Sequence, residues 1–278
     1  MQFTACAHRC YSPRLARLPS LRAMFGFDSP LPLVTICFAA LLHGISGLGF
    51  PLLVTAILAT FMPMKLAVAI SLWPTLLLNL LSITSVGWRH TAAILRRYAR
   101  LAASSVLGSF VGMTLLVHLP QAWFQVLLAA MMLILVAQQA QRGQSAPVLI
   151  TASARAEIGF GLLAGLIGGA TNAMSPVILL YLLARKTPVE DIVPAANLCY
   201  ATGKLCQLIT LYAVAPELLP AAMLPDIALT TALAAVFLLI GLRIRRFLPA
   251  RRFRVLLLWL VFALALFTGL SGLRALLA

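Results

Sequence analysis

The sequence predicts an all-α, polytopic helical membrane protein made of two inverted repeats, each opening on a broken or re-entrant helix. Three observations predict it. The composition is 62% hydrophobic and 10% charged, with a mean hydropathy of +1.03, whereas a soluble domain carries about 25% charged residues. The apolar runs are about twenty residues long and separated by short polar loops, which suits helices crossing a bilayer and not the roughly ten-residue alternating strands of a β-barrel. Finally, Gly112, Leu119, Pro120 and Phe124 recur as Gly241, Leu248, Pro249 and Phe253, all at an offset of 129.

Hydrophobic segments fall at about 31–62, 65–87, 101–118, 122–140, 157–184, 192–214, 224–242 and 255–276. They divide into a first repeat, 31–140, a cytoplasmic linker, 141–156, and a second repeat, 157–276. Residues 1–30 carry Arg9, Arg14, Arg17 and Arg22 but no long apolar core. This stretch reads as a disordered tail or a start-site artefact, with Met24 as the alternative start, and not as a secretory signal.

The first segment is interrupted at Gly44-Ile45-Ser46-Gly47-Leu48-Gly49-Phe50-Pro51, and the fifth at Gly168-Gly169-Ala170-Thr171-Asn172-Ala173-Met174-Ser175-Pro176. Glycine and proline at that density break a helix. In a membrane, broken backbone persists only where it is buried in protein or lines a wet cavity. The two interruptions are related: Pro51 and Pro63 are twelve apart, as are Pro176 and Pro188, and Gly44-x-x-Gly47 matches Gly165-x-x-Gly168.

The net charge of +15 reads as topology and not as a nucleic-acid surface, because basic residues in short loops hold those loops on the cytoplasmic side. Basic and non-basic loops exchange places between the repeats. The loop near 88–100 has four arginines, and its counterpart near 215–226 has only Glu217 and Asp226. The loop near 118–121 has no Lys or Arg, and its counterpart carries Arg243, Arg245, Arg246, Arg251, Arg252 and Arg254. The repeats therefore insert in opposite directions, which requires an odd number of crossings in each. Re-entrant hairpins supply this, and they put fourteen Lys and Arg residues on one side, the cytoplasm. Eight plain spans would divide those residues almost evenly.

Lys204 lies near the middle of the apolar stretch 192–214 with no acidic residue after Asp191 in that segment. A charge at the bilayer centre costs about 3 kcal/mol on insertion scales, so a compensating partner is expected, and an anion is the simplest one. Snorkelling or carbonyl bonding for packing alone is the competing reading. Asn197, Tyr200, Ala201, Lys204 and Gln207 share one helix face by spacing. The free N–H groups of half-helix N-termini suit anions, which adds Ser46, Gly47 and Gly49 at one break and Gly168, Gly169, Thr171, Asn172 and Ser175 at the other. Close glycine packing is the alternative for these positions. Asn79, with Ser71, either completes the cavity or cross-links helices. His43 borders the first break as a packing residue or a proton carrier. No catalytic constellation, metal-ligand spacing or cofactor motif is present. The five cysteines match no metal pattern, and Cys199 and Cys206 read as small packing residues.

The broken segment running into a proline once per repeat, the Pro-x11-Pro spacing, and the stretch from Asn197 to Gln207 resemble the TauE/SafE sulfite exporter family. The resemblance covers about 31–276. It implies a multi-pass permease of the bacterial inner membrane whose substrate is a small sulfur anion such as sulfite or an organosulfonate, with the lipid bilayer as its surroundings and no nucleic-acid partner. The glycine runs usual in that family are interrupted here by Leu48 and by Ala170–Met174. An intramembrane enzyme or a non-transporting scaffold is the alternative. Direction, coupling ion and oligomeric state are left open.

Overall fold

A computed structural model of the chain describes residues 30–46, 49–84, 87–140, 153–247 and 250–277. The tail 1–29, most of the linker (141–152) and Gly47 lie outside the described residues. Among the described residues the chain is all helix: α1 (Leu31–Ser46), α2 (Phe50–Leu58), α3 (Met64–Thr84), α4 (Trp88–Arg97), α5 (Ala99–His118), α6 (Gln121–Ala140), α7 (Ala154–Thr171), α8 (Ser175–Ala184), α9 (Val189–Val214), α10 (Leu224–Ile244) and α11 (Ala250–Leu277). Two short 3-10 turns, Pro216–Leu218 and Ala221–Met223, precede α10. Among the described residues, five helices are long and apolar enough to cross a membrane: α3, α5, α6, α10 and the Val255–Leu277 part of α11.

Both expected breaks are present, but they are narrower than the glycine runs suggest. Gly44–Ser46 remain in α1, and Gly168–Thr171 remain in α7. The first break ends at Gly49, whose φ of 97° suits a residue without a Cβ. The second begins at Asn172, with φ 62°. Asparagine tolerates this left-handed conformation, and its N–H donates to the Gly168 carbonyl at 2.8 Å, which closes α7. Pro51 and Pro176 sit in the first turns of α2 and α8, where a missing N–H costs nothing.

Helix boundaries repeat along the chain. The ends of α1 and α7 (Ser46, Thr171), the starts of α2 and α8 (Phe50, Ser175) and the starts of α3 and α9 (Met64, Val189) are each 125 residues apart. At that spacing Gly44 corresponds to Gly169, one turn beyond the Gly165 suggested by sequence. The packing shows why both are glycine. A Cβ on Gly44 would lie 2.4 Å from the Leu238 carbonyl and 2.9 Å from the Gly241 Cα. A Cβ on Gly169 would lie 2.5 Å from the Ser109 carbonyl and 3.1 Å from the Gly112 Cα. These glycines bring α1 against α10 and α7 against α5 at backbone contact, the small-residue packing used between membrane helices.

The helices therefore do not pack as two sequence halves. α1 packs on α10 and α5 on α7; α3 packs on α10 and α9 on α5. The central seam is α3 against α9, with α6 paired to α11 alongside. The basic stretch near 88–100, expected as a loop, contains α4, an amphipathic helix. Thr91 and Ile94 are buried, as are Tyr98 and Leu101 just beyond it, while Arg89, Arg96 and Arg97 face outward. Its helical repeat was hidden by arginine density.

Gly112→Ala puts a Cβ 2.1 Å from the Leu166 carbonyl, whereas Gly159→Ala meets nothing within 4 Å. Overpacking typically costs about 1–3 kcal/mol, so Gly112→Ala is expected to lower the thermal midpoint of the detergent-purified protein by several degrees. Gly159→Ala should hold or raise it, since alanine is the better helix former.

Candidate functional site

α9 runs through the middle of the protein, between α3 and α5. Lys204 lies fifteen residues from its start and ten from its end, roughly 22 and 15 Å along the axis at 1.5 Å per residue. The residue is 4% exposed, so its amine reaches neither lipid headgroups nor bulk water. The helix is not simply apolar: Asn197, Tyr200, Lys204 and Gln207 are all buried on the face expected from their spacing.

The Lys204 ammonium donates to Asn172 Oδ1 and to Gln207 Oε1. Both amides are fixed by what they do on their other side. Asn172 Nδ2 donates to Thr55 Oγ1 at 2.7 Å and to Ser71 Oγ at 2.8 Å. Gln207 Nε2 donates to the Gly169 carbonyl at 2.8 Å and the Gly168 carbonyl at 3.2 Å. Ser71 Oγ in turn donates to the Val68 carbonyl at 2.8 Å. The Nδ2 of Asn172 is taken by two hydroxyls and the Nε2 of Gln207 by two carbonyls and, at 3.4 Å, by Asn172 Oδ1, so both amide oxygens face the lysine and the orientation of each amide follows from the network. Thr55 and Ser71 belong to α2 and α3, and Asn172, Lys204 and Gln207 to the second repeat. The network thus crosses the seam between α3 and α9 at the second break.

The acceptors around the ammonium are neutral. Glu157, Glu190, Asp191, Glu217 and Asp226 all lie near helix ends, and among the described residues no carboxylate pairs with Lys204. Asp191, thirteen residues away and so about 20 Å along α9, is engaged elsewhere. It accepts from His90 Nε2 at 3.0 Å and from Arg97 at 3.3 Å, both on α4. Tyr98 and Thr187 hydroxyls meet nearby at 3.4 Å. α4 therefore clasps the start of α9 at the rim where the basic residues gather.

The other expected site residues fall in distinct places. Gly168 and Gly169 turn their carbonyls, not their N–H groups, toward the network through Gln207. Thr171 is occupied locally, donating to the Ile167 carbonyl and accepting from the Ala173 N–H. Ser46 closes α1 and Gly49 opens α2 at the other break. Asn79 and Ser175 are buried; Asn79 Nδ2 has no hydrogen-bond partner, and the Ser175 hydroxyl lies beside that of Tyr200. Asn197 donates to the Val193 carbonyl at 2.9 Å, leaving its oxygen unpaired. His43 packs edge-on against Phe50, with ring centroids 6.2 Å apart. Thr55 was not anticipated. It is the one polar residue of α2, which is the only sequence signal it offers. Among the described residues, no group of three His, Cys, Asp or Glu is placed to hold a metal ion.

The model of the sulfite exporter TauE/SafE family matches residues 33–268. The chain belongs to this family. It is therefore a membrane protein of a transporter family whose named substrate is a sulfite-type anion. No curated relative and no solved structure matches the chain. In this TauE/SafE protein the matched region includes both breaks and the whole Lys204 network.

Within the network, partners differ in what their loss strands. Gln207→Leu leaves the ammonium and the Gly169 carbonyl short of a partner, which costs about 1–3 kcal/mol for a buried polar group. Lys204→Met removes the buried charge together with its need for acceptors. Thermal unfolding in detergent should show the greater loss for Gln207→Leu; the opposite order would mean the amides are not arranged around a charged amine.

Proposed function

We propose that this TauE/SafE protein is a secondary permease that carries a small anion, a sulfur oxyanion such as sulfite or an organosulfonate, across the inner membrane. The observation behind this is the Lys204 ammonium, sealed at mid-depth among neutral acceptors at the seam of two packing units. An unneutralised cation in that position favours an arriving negative charge far more than the same cation in water, because the surrounding dielectric is low. Lys204, Asn197, Gln207 and Asn79 line the substrate position, with Ser175, Thr171 and Asn172 at the second break and Ser46 and Gly49 contributed by the first.

The repeats are read as inverted, with re-entrant first hairpins. Two features support this. Exchanging the repeats maps each major helix contact onto another: α1–α10 onto α7–α5, α3–α10 onto α9–α5, and α3–α9 and α6–α11 onto themselves. The helix arms are also short. α1 has 16 residues and α2 has 9, while α7 has 18 and α8 has 10, so each arm spans less than the roughly 30 Å of hydrocarbon at 1.5 Å per residue. Inverted repeats with broken helices and a midplane site are the architecture of alternating-access transporters.

The moving bodies in this reading are not the sequence halves. Backbone-close crossings tie α1 to α10 and α5 to α7, so one body contains α1, α2, α3 and α10, and the other contains α5, α7, α8 and α9. They separate along α3–α9, where the substrate sits. The clasp of α4 on Asp191 closes the cytoplasmic end of that seam, and its contacts to His90 and Arg97 must both break for the site to open inward. An inside-negative potential favours an anion's exit by about 2.3 kcal/mol per charge per 100 mV.

Purified protein in liposomes is expected to move radiolabelled sulfite, and Lys204→Met to lose at least tenfold of that flux while inserting normally. Absence of flux for sulfite and for simple sulfonates in the wild type would refute the permease. Asp191→Asn, which weakens the clasp, is expected to change maximal flux severalfold and to leave the half-saturating concentration within about twofold. A change confined to the half-saturating concentration would put Asp191 in the substrate site instead.

A further inference from the structure

The contacts of α4 with Asp191 use only part of its charge. At about 100° per residue, Arg89 and Arg96 fall on one line of the helix, two turns apart and opposite the buried Thr91 and Ile94. Arg100 follows in the first turn of α5, beyond the single residue Tyr98. All three arginines are exposed, and among the described residues none of them has an acidic partner. His90 and Arg97 occupy one flank of α4 and reach Asp191 at 3.0 and 3.3 Å. Leu95, on the opposite flank by its spacing, is 40% exposed.

The position of α4 decides what meets this outer face. The helix stands between α3 and α5, two helices long and apolar enough to cross a membrane. Its ten residues therefore lie where the chain leaves the hydrocarbon and returns to it. Orienting the protein asks only for a number of arginines in such a connection, not for their place on a helix. Here they are sorted: Arg89 and Arg96 point outward, and Arg97 turns sideways to Asp191. A basic line beside an apolar flank is the pattern of a helix lying in the membrane interface. Guanidinium groups match the paired oxygens of a phosphate. A soluble polyanion would satisfy the arginines but leave Leu95 in water, whereas a lipid covers both.

We propose that the outer face of α4 is a docking surface for anionic phospholipid, with phosphodiester headgroups taken by Arg89, Arg96 and Arg100 and acyl chains covering Leu95. The lipid holds α4 from outside, Thr91 and Ile94 hold it from within, and His90 and Arg97 fix its edge to α9. The lipid composition of the bilayer thereby sets how firmly α4 stays on the start of α9. The surface lies apart from Lys204 and does not depend on the anion-permease reading.

Hydrogen exchange tests it. The purified full chain is placed in nanodiscs of phosphatidylcholine alone and of phosphatidylcholine with one-third phosphatidylglycerol, and exchange of the amides of α4 is compared. Phosphatidylglycerol is expected to slow that exchange at least threefold in wild type. The combined variant Arg89→Gln, Arg96→Gln and Arg100→Gln should lose most of the protection. A matched variant, Arg243→Gln, Arg245→Gln and Arg246→Gln, removes the same charge from the exposed stretch that closes α10 and should keep it. Equal exchange in the two lipids, or equal loss in the two variants, overturns the docking surface. The same protection from soluble glycerophosphoglycerol, added to discs of phosphatidylcholine alone, marks a phosphate site and overturns the lipid assignment. If the first variant fails to insert, wild type in about 1 M salt takes its place, since the screening length there is about 3 Å. Protection that survives that salt overturns the proposal, and its loss supports it.

Discussion

A single ammonium held at mid-depth with only neutral partners constrains the rest of this protein. An ion pair would have settled the charge within the structure and left nothing for a ligand to do. Two amide oxygens instead supply enough local stabilisation to keep the amine in place without cancelling its charge. That solution requires the amides to be held in one orientation, because either one flipped would present donors to a cation. Gln207 is held by two backbone carbonyls at the end of α7 and Asn172 by two hydroxyls from the other packing unit.

Asn172 explains why the helix break and the cation occur together. The residue adopts φ 62°, a conformation that glycine would take more easily. Glycine there would end α7 equally well but would carry no amide. Asparagine is the residue type that both tolerates the left-handed turn and reaches outward with a fixed donor and acceptor. The break in α7 is in this sense part of the cradle: it leaves the Gly169 carbonyl without a helical partner, since the Ala173 N–H turns to Thr171, and it sends one side chain across the seam. Gly44 and Gly169, meanwhile, allow the close crossings that keep each broken helix against a continuous one of the other repeat.

The sequence made some of this legible and hid the rest for identifiable reasons. Breaks, prolines and the polar stripe of α9 are local signals, and the structure has helix ends at the breaks and burial along the stripe. The extent of each break was overread, because glycine in a membrane helix serves packing as readily as interruption, and only the neighbour decides which. α4 was missed although Thr91, Ile94, Tyr98 and Leu101 are spaced as one helical face, because four arginines in twelve residues read as a solvated loop. Thr55 was beyond reach. One hydroxyl in an apolar helix has no meaning until tertiary packing brings it to a residue 117 positions away. The packing units were hidden for the same reason: repeats are visible along a chain, but the exchange of helices between them is not.

The duplication is faithful in its frame and not in its chemistry. At the 125-residue spacing of the helix boundaries, Lys204 corresponds to Asn79, Asn172 to Gly47 and Gln207 to Ser82. One repeat therefore holds a cation and its two amides, and the other holds an amide, a glycine and a hydroxyl at the same stations. Two symmetric lysines facing each other across the α3–α9 seam would repel at mid-depth, where a like pair is costliest, or would demand two anions at once. A single lysine opposed by an uncharged asparagine avoids both outcomes. The helix frame is repeated while the charge is set once, so the α3–α9 seam carries one lysine and not two.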